Sequence, residues 1–288
     1  MYRIGIDIGA TNMRAGLFDA NVLVARLEMK TEAELGAKQA LIKLVELVRL
    51  VDPKQLAVGI GIGAPGPLDA QAGIILDAPN LPGWNGFHLK DELSNHVGKP
   101  VFLMNDAKVA ALAEAKVGAG LGYGSVQFIT VSTGVGGGFV YQGEVFAGGH
   151  EHASEVGNMI VNVSDEKATL ESICSGTALL RESKRLFGTS KTAADLLHFS
   201  ENNNPEANQV VDRWVHHFAA AITSIIQVID PEVFVLGGAV ILHNPWLVER
   251  VTEAVRAQVY QSMQDKINIK VASLGEDAGL YGAAMLVT

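Results

Sequence analysis

An acid at the end of an apolar run, followed at once by a small turn, is the first chemical feature of this chain. Asp7-Ile8-Gly9-Ala10-Thr11-Asn12 has that form. Glycine lets backbone come close to a phosphate, and Thr11 and Asn12 add side-chain donors. Asp7 is a candidate to hold Mg²⁺ through water, since Mg²⁺ takes oxygen ligands and keeps several waters. A plain hairpin whose Asp caps the turn accounts equally well for these residues. Thr133-Gly134-Val135-Gly136-Gly137-Gly138 is a second phosphate candidate. Its glycines are expected to aim several N–H groups into one anion-binding concavity, where the competing assignment is a bulge or tight hairpin.

Carboxylates form the second group. Asn105-Asp106 follows the strand-like Val101 to Met104 and precedes a helical pattern. Loops at the carboxyl ends of parallel strands carry chemistry, and a carboxylate there can accept a proton from an attacking hydroxyl. Taken alone, Asp106 reads better as an N-cap. Glu155 and Glu171 suit sugar hydroxyls, because each carboxylate accepts through two oxygens. As surface acids they need no such role. Gly237-Gly238 after a strand gives room for an adenine ring, or simply ends the strand.

Other patterns are set aside. Gly61-Ile62-Gly63-Ala64-Pro65-Gly66 matches a dinucleotide fingerprint in spacing, but Pro65 and Pro67 prevent the loop from opening a helix onto a pyrophosphate. There is no Walker lysine motif. His150 and His152 lack a third ligand at clear spacing and read as a solvated loop. Trp84, Trp214 and Trp246 read as packing residues.

The elements that must position these residues alternate. Arg3 to Ile8, Met13 to Phe18 and Leu23 to Lys30 read as strands, and Ala33 to Val51 as a helix ended by Asp52-Pro53. A strand over Leu56 to Ala64, a helix over His88 to Val97, a strand at Val101 and a helix over Asp106 to Val117 follow. The pattern then restarts with a strand over Ser125 to Thr133 and a hairpin partner over Gly138 to Phe146. Helices over Leu170 to Phe187, Ala193 to Phe199, Pro205 to Ile229 and Trp246 to Tyr260 come next, with strands at Val233 to Leu236 and Ile269 to Leu274. A last helix covers Gly279 to Leu286. Such alternation predicts α/β layers, in two lobes that face a cleft. The expected division is a small α/β lobe over 1–117, with the C-terminal helix 276–288 packing back on it, and a large α/β lobe over 118–275. Four glycines cluster at the boundary, from Gly118 to Gly124.

Composition excludes some classes. A formal net charge of −9 argues against a dedicated nucleic-acid binder, which needs a basic face. No run is long and apolar enough to span a bilayer, and no signal-peptide pattern opens the chain. One cysteine, Cys174, allows neither an internal disulfide nor a thiolate zinc site. The expected place is the cytoplasm.

Taken in order, eight segments resemble the ROK family of bacterial sugar kinases (repressors, open reading frames and kinases), closest to its glucokinases. They are Asp7-Ile8-Gly9-Ala10-Thr11, Gly63-Ala64-Pro65-Gly66-Pro67, Asn80-Leu81-Pro82-Gly83-Trp84, Asn105-Asp106-Ala107, Thr133 to Gly138, Glu155-Val156-Gly157, Leu170-Glu171 with Ser175-Gly176, and Leu236-Gly237-Gly238. The resemblance implies a two-lobed ribonuclease H-like, actin-like ATPase fold with a central cleft, ATP with Mg²⁺, and a homodimer. By matching motif, Asp106 stands as catalytic base. Gly66, Asn80, Asn105, Asp106, Glu155 and Glu171 stand at the sugar. Gly9, Thr11, Asn12, Thr133 and Gly134 stand at the phosphates, and Gly237 and Gly238 beside adenosine.

The family usually follows Glu-x-Gly with His and then a cysteine-rich zinc motif. Here Asn158 replaces that His, and Ser164 to Thr169 holds no cysteine. No structural zinc is expected, and Asn158 becomes a substitute sugar contact. The expected activity is transfer of the γ-phosphate to a hexose, glucose at the 6-position. N-acetylmannosamine, fructose or a β-glucoside as acceptor, polyphosphate as donor, and a non-catalytic sugar binder are the alternatives. Repressors of the family carry a helix-turn-helix ahead of the first phosphate motif, which here starts at Asp7. The expectation is therefore an enzyme acting on small molecules, without nucleic acid or membrane.

Overall fold

β1 (Tyr2–Ile8), β2 (Asn12–Asp19) and β3 (Val22–Lys30) form an antiparallel meander, with Ile8 opposite Met13 across the first turn. The computed structural model describes every residue except Asp77, Pro79, Asn80 and residues 163–167. It divides into two units, the first being Met1–Lys116 with Ala147–Glu151 and Glu276–Thr288.

In unit 1, α1 (Ala37–Val51) buries Leu41, Leu44, Leu47 and Val48 at helical spacing. The helix expected from Ala33 is split. Ala33–Leu35 form a short 3-10 turn, and Gly36 at φ 79° interrupts before α1. The strand expected from Leu56 starts later, as β4 (Ile60–Ala64). The Asp52 carboxylate accepts the N–H groups of Leu56 and Ala57, both at 2.8 Å, and holds that stretch in a turn. A short hairpin of β5 (Leu68–Asp69) and β6 (Ile74–Ile75) follows, then α2 (Leu89–Val97), β7 (Val101–Asn105) and α3 (Asp106–Val117). The sheet order is β3-β2-β1-β4-β7, and β4 and β7 run parallel to β1.

The C-terminal helix (Ala278–Met285) belongs to unit 1 and packs against β1 and β4 at backbone distance. A Cβ on Gly61 would lie 1.8 Å from the Ala283 carbonyl oxygen, and one on Gly5 2.1 Å from that of Leu280. Only glycine fits where helix and sheet touch. Ala147–Glu151 also joins unit 1, where the expected division had left it in the second lobe. The Glu151 carboxylate accepts the Ala70 N–H at 2.8 Å, and the Lys108 ammonium donates to the Glu151 carbonyl.

Unit 2 comprises Val117–Phe146 and His152–Gly275. β8 (Ser125–Val131), β9 (Val135–Tyr141) and β10 (Glu144–Val145) repeat the antiparallel meander. A small pair, β11 (Ile160–Asn162) and β12 (Ala168–Thr169), precedes α4 (Leu170–Cys174) and α5 (Gly176–Phe187). Next come α6 (Ala193–Glu201), α7 (Pro205–Val228), β13 (Val233–Gly237), α8 (Ala239–His243), α9 (Trp246–Gln258) and β14 (Ile269–Val271). The sheet order, β10-β9-β8-β13-β14, has the same plan as in unit 1: three antiparallel strands, then two parallel ones. α7 centres the core, burying Trp214, Phe218 and Ile222 in one cluster with Ile129 and Leu236. Pro205 starts it and Asn204 caps it, accepting from Glu206 and Ala207.

One helix was expected from Leu170 to Phe187, and two are found. Ser175 between them is extended, and its hydroxyl caps α5 by accepting the Ala178 N–H at 3.1 Å. Among the described residues no helix is long and apolar enough to cross a membrane.

Candidate functional site

The β1–β2 turn is pinned from β3. The Gly9 N–H donates to the Asn12 carbonyl at 2.9 Å. Thr31, just past β3 and buried, donates its hydroxyl to the Gly9 carbonyl at 2.6 Å and its N–H to that of Thr11 at 2.9 Å. Among the described residues, the N–H groups of Ala10 and Thr11 donate to no protein acceptor. Thr31 has no sequence signature, because a hydroxyl that acts on a carbonyl 22 residues away leaves no local pattern.

Asp7, at the end of β1, sits in a charged group. Burial, opposed by Arg14 and reinforced by Asp277, pushes its carboxyl up to about 6 from the usual 3.8. Arg14 lies 3.9 Å from it and also pairs with Glu28 and Glu276, each at 3.1 Å. Arg26 pairs with Asp277 at 2.8 Å. Gly279 faces Asp7, and a Cβ there would stand 2.9 Å from the carboxyl carbon.

At the β7–α3 junction the capping falls to Asn105. Its side-chain oxygen accepts the N–H groups of Ala107 at 3.0 Å and Lys108 at 3.2 Å. Asp106 is therefore the first helical residue, not the cap, and its Oδ1 also lies 2.8 Å from the Ala107 N–H. Gly66 lies beside Asn105, since a Cβ on it would meet the Asn105 amide nitrogen at 3.3 Å. Asn80, the remaining sugar candidate of this unit, lies outside the described residues.

In unit 2 the glycine run is mostly strand. Gly136, Gly137 and Gly138 pair with Thr130, Ile129 and Phe128, so the expected six-residue concavity reduces to the turn Ser132-Thr133-Gly134. Glycine is needed at 137 because a Cβ would lie 3.0 Å from the carbonyl oxygens of both Phe128 and Ser154. The turn is held from α5. The Gly176 N–H donates to the Ser132 carbonyl at 2.7 Å. Thr177 gives its hydroxyl at 2.8 Å and its N–H at 3.2 Å to the Thr133 carbonyl. The N–H groups of Thr133 and Gly134 donate to no protein acceptor among the described residues.

Glu171, on the first turn of α4, reaches this turn: its Oε2 accepts the Val135 N–H at 2.9 Å. Glu155 and Asn158 are exposed on either end of a 3-10 turn whose Gly157 packs against the Val135 carbonyl. Gly238, at φ 83°, passes so close to Val131 that a Cβ would stand 2.3 Å from its carbonyl oxygen. Gly237 faces the Phe128 ring in the same way, at 3.0 Å. Both glycines are thus crowded by protein on the side where a Cβ would point. Among the described residues no group of three or more His, Cys, Asp or Glu is assembled to hold a metal. Cys174 is buried against Trp214, and burial pushes its thiol up.

Two sheets of one plan, each with a pinned turn at the end of its first strand, define an α/β protein of the ribonuclease H-like, actin-like ATPase class. The ROK hexokinase of Thermus thermophilus shares this structure with a TM-score of 0.88 at 33% identity, covering 99% of this chain and 97% of that one. A ROK family glucokinase from Streptomyces griseus, solved with glucose and AMPPNP, gives a TM-score of 0.84 at 26% identity over 99% of both chains. In sequence the chain is 30% identical over 305 residues to a glucokinase of Thermotoga maritima, covering 99% of this chain and 96% of that protein. The ROK family profile matches residues 3–288, and the chain belongs to the ROK family.

Proposed function

We propose that the chain is an ATP-dependent sugar kinase that transfers the γ-phosphate to the 6-hydroxyl of glucose. One observation carries this reading: each unit ends its first strand in a pinned turn whose outer N–H groups, at Ala10 and Thr11 and at Thr133 and Gly134, have no protein acceptor among the described residues. Such groups suit the oxygens of a polyphosphate. Kinases among its relatives support the acceptor as a sugar.

Asn105, Glu155, Glu171 and, in place of the family His, Asn158 orient the sugar, with Gly66 giving it room. Asp106 takes the proton of the 6-hydroxyl, and that oxygen attacks the γ-phosphorus. The bond from phosphorus to the β–γ bridging oxygen breaks, and ADP leaves with the electron pair. The backbone N–H groups of Thr11, Thr133 and Gly134 and the side chains of Thr11 and Asn12 hold the phosphates, Gly9 lets the turn come close to them, and Gly237 and Gly238 lie beside adenosine. Mg²⁺ carried on the nucleotide would neutralise charge on the phosphate oxygens. Asp7 fits the task of holding it through water, since Mg²⁺ asks for one or two carboxylates besides phosphates and waters. No zinc enters this scheme. The chain is expected to work as a cytoplasmic homodimer.

A sugar panel in an ADP-release assay tests the assignment. Glucose should give the highest kcat/KM. N-acetylmannosamine, fructose or a β-glucoside as the preferred acceptor would move the specificity, and no ADP release with any of them would refute the kinase.

A further inference from the structure

We propose that Glu171 is a positioning residue for the nucleotide turn as well as a sugar contact, so that one carboxylate couples the two substrates. This inference rests on the kinase reading. The Glu171 Oε2 accepts the Val135 N–H, the first of β9, at 2.9 Å. An ionised acceptor makes this one of the stronger hydrogen bonds available to a backbone amide. Gly134 is small for the same reason: a Cβ there would lie 2.4 Å from Oε2 and 3.2 Å from the carboxyl carbon. A Cβ on Gly157 would stand 2.2 Å from the Val135 carbonyl oxygen and 3.6 Å from the Glu171 Cβ. Val135, the residue that follows the turn, thus meets both the Gly157 backbone and the Glu171 side chain.

The other fixings of the turn, from Gly176 and Thr177, come from α5 residues that carry no sugar assignment. The bond from Glu171 alone comes from a side chain assigned to the sugar. A carboxylate accepts through both oxygens, so a sugar hydroxyl on Oε1 fixes the same group that fixes Val135. Ordering the carboxylate by sugar lowers the cost of ordering the turn for phosphate, and by linkage nucleotide favours sugar equally.

The test is calorimetric titration of the full chain with Mg²⁺ and AMPPNP in the absence of sugar. Glu171→Ala should weaken nucleotide binding by about tenfold or more, the worth of a hydrogen bond to a charged group. Glu171→Gln, which keeps an acceptor oxygen, should recover part of the loss. Glu155→Ala should weaken sugar binding and leave sugar-free nucleotide affinity where it was. A Glu171→Ala protein that binds AMPPNP as the wild type does would overturn the coupling while leaving the kinase reading intact. A wild-type chain that binds no nucleotide would overturn the kinase reading itself. Amide hydrogen exchange at Val135 reads the tether without any ligand: faster exchange in folded Glu171→Ala supports it, and unchanged exchange refutes it.

Discussion

The hydroxyl of Thr31 donates to the carbonyl oxygen of Gly9 over 2.6 Å, and this bond ties the end of β3 to the turn that closes β1. Thr31→Val keeps the shape and removes the donor, leaving a partly buried carbonyl unpaired at a cost of about 1–2 kcal/mol. Thermal melts should show the loss, and the KM for ATP should rise several-fold with the sugar KM unchanged. A lower Tm with unaltered ATP use would mean that the bond matters to stability alone.

Asp7 sets a pH dependence. Its carboxyl holds a proton up to about 6 in the folded chain, against 3.8 ordinarily. As pH rises from the lower value through the higher, the unfolded chain releases that proton first, so stability is lost across this window. At neutral pH the ionised group costs up to about 3 kcal/mol. Asp7→Asn removes the cost. Its Tm should exceed that of the wild type near about pH 7.5, with the gain shrinking toward about pH 4. An offset constant over that range would contradict the assignment.

Gly61 meets the C-terminal helix backbone to backbone. A methyl group there would stand 1.8 Å from the Ala283 carbonyl oxygen, and no side-chain movement can relieve it. Gly61→Ala should cost at least about 3 kcal/mol through overpacking. Urea unfolding of the variant measures it, and a midpoint within error of the wild type would show that the helix does not seat on β4 as described.

Much of this was legible in sequence because it is local. The alternation of strands and helices, the acid and small turn after β1, and Asn105-Asp106 at a strand end all follow from neighbouring residues. The glycine run after Thr133 misled: the need for glycine at 137 comes from carbonyls of Phe128 and Ser154, which a turn rule cannot see. The break at Ser175 was hidden because the apolar spacing continues through it. It exists because the Gly176 N–H is given to Ser132, far away in sequence. Thr31 and Thr177 were missed for the same reason, as their partners lie across the fold. Asp106 looked like a cap until the Asn105 side chain was seen to supply one.

Turnover by Asp106→Asn measures most directly whether Asp106 is the proton acceptor. With the sugar that the wild type phosphorylates best, the variant should bind sugar and fold normally, yet release ADP at least ~10²-fold more slowly, as expected when a general base is removed. Turnover close to that of the wild type would contradict the assignment of Asp106 and the chemistry built on it.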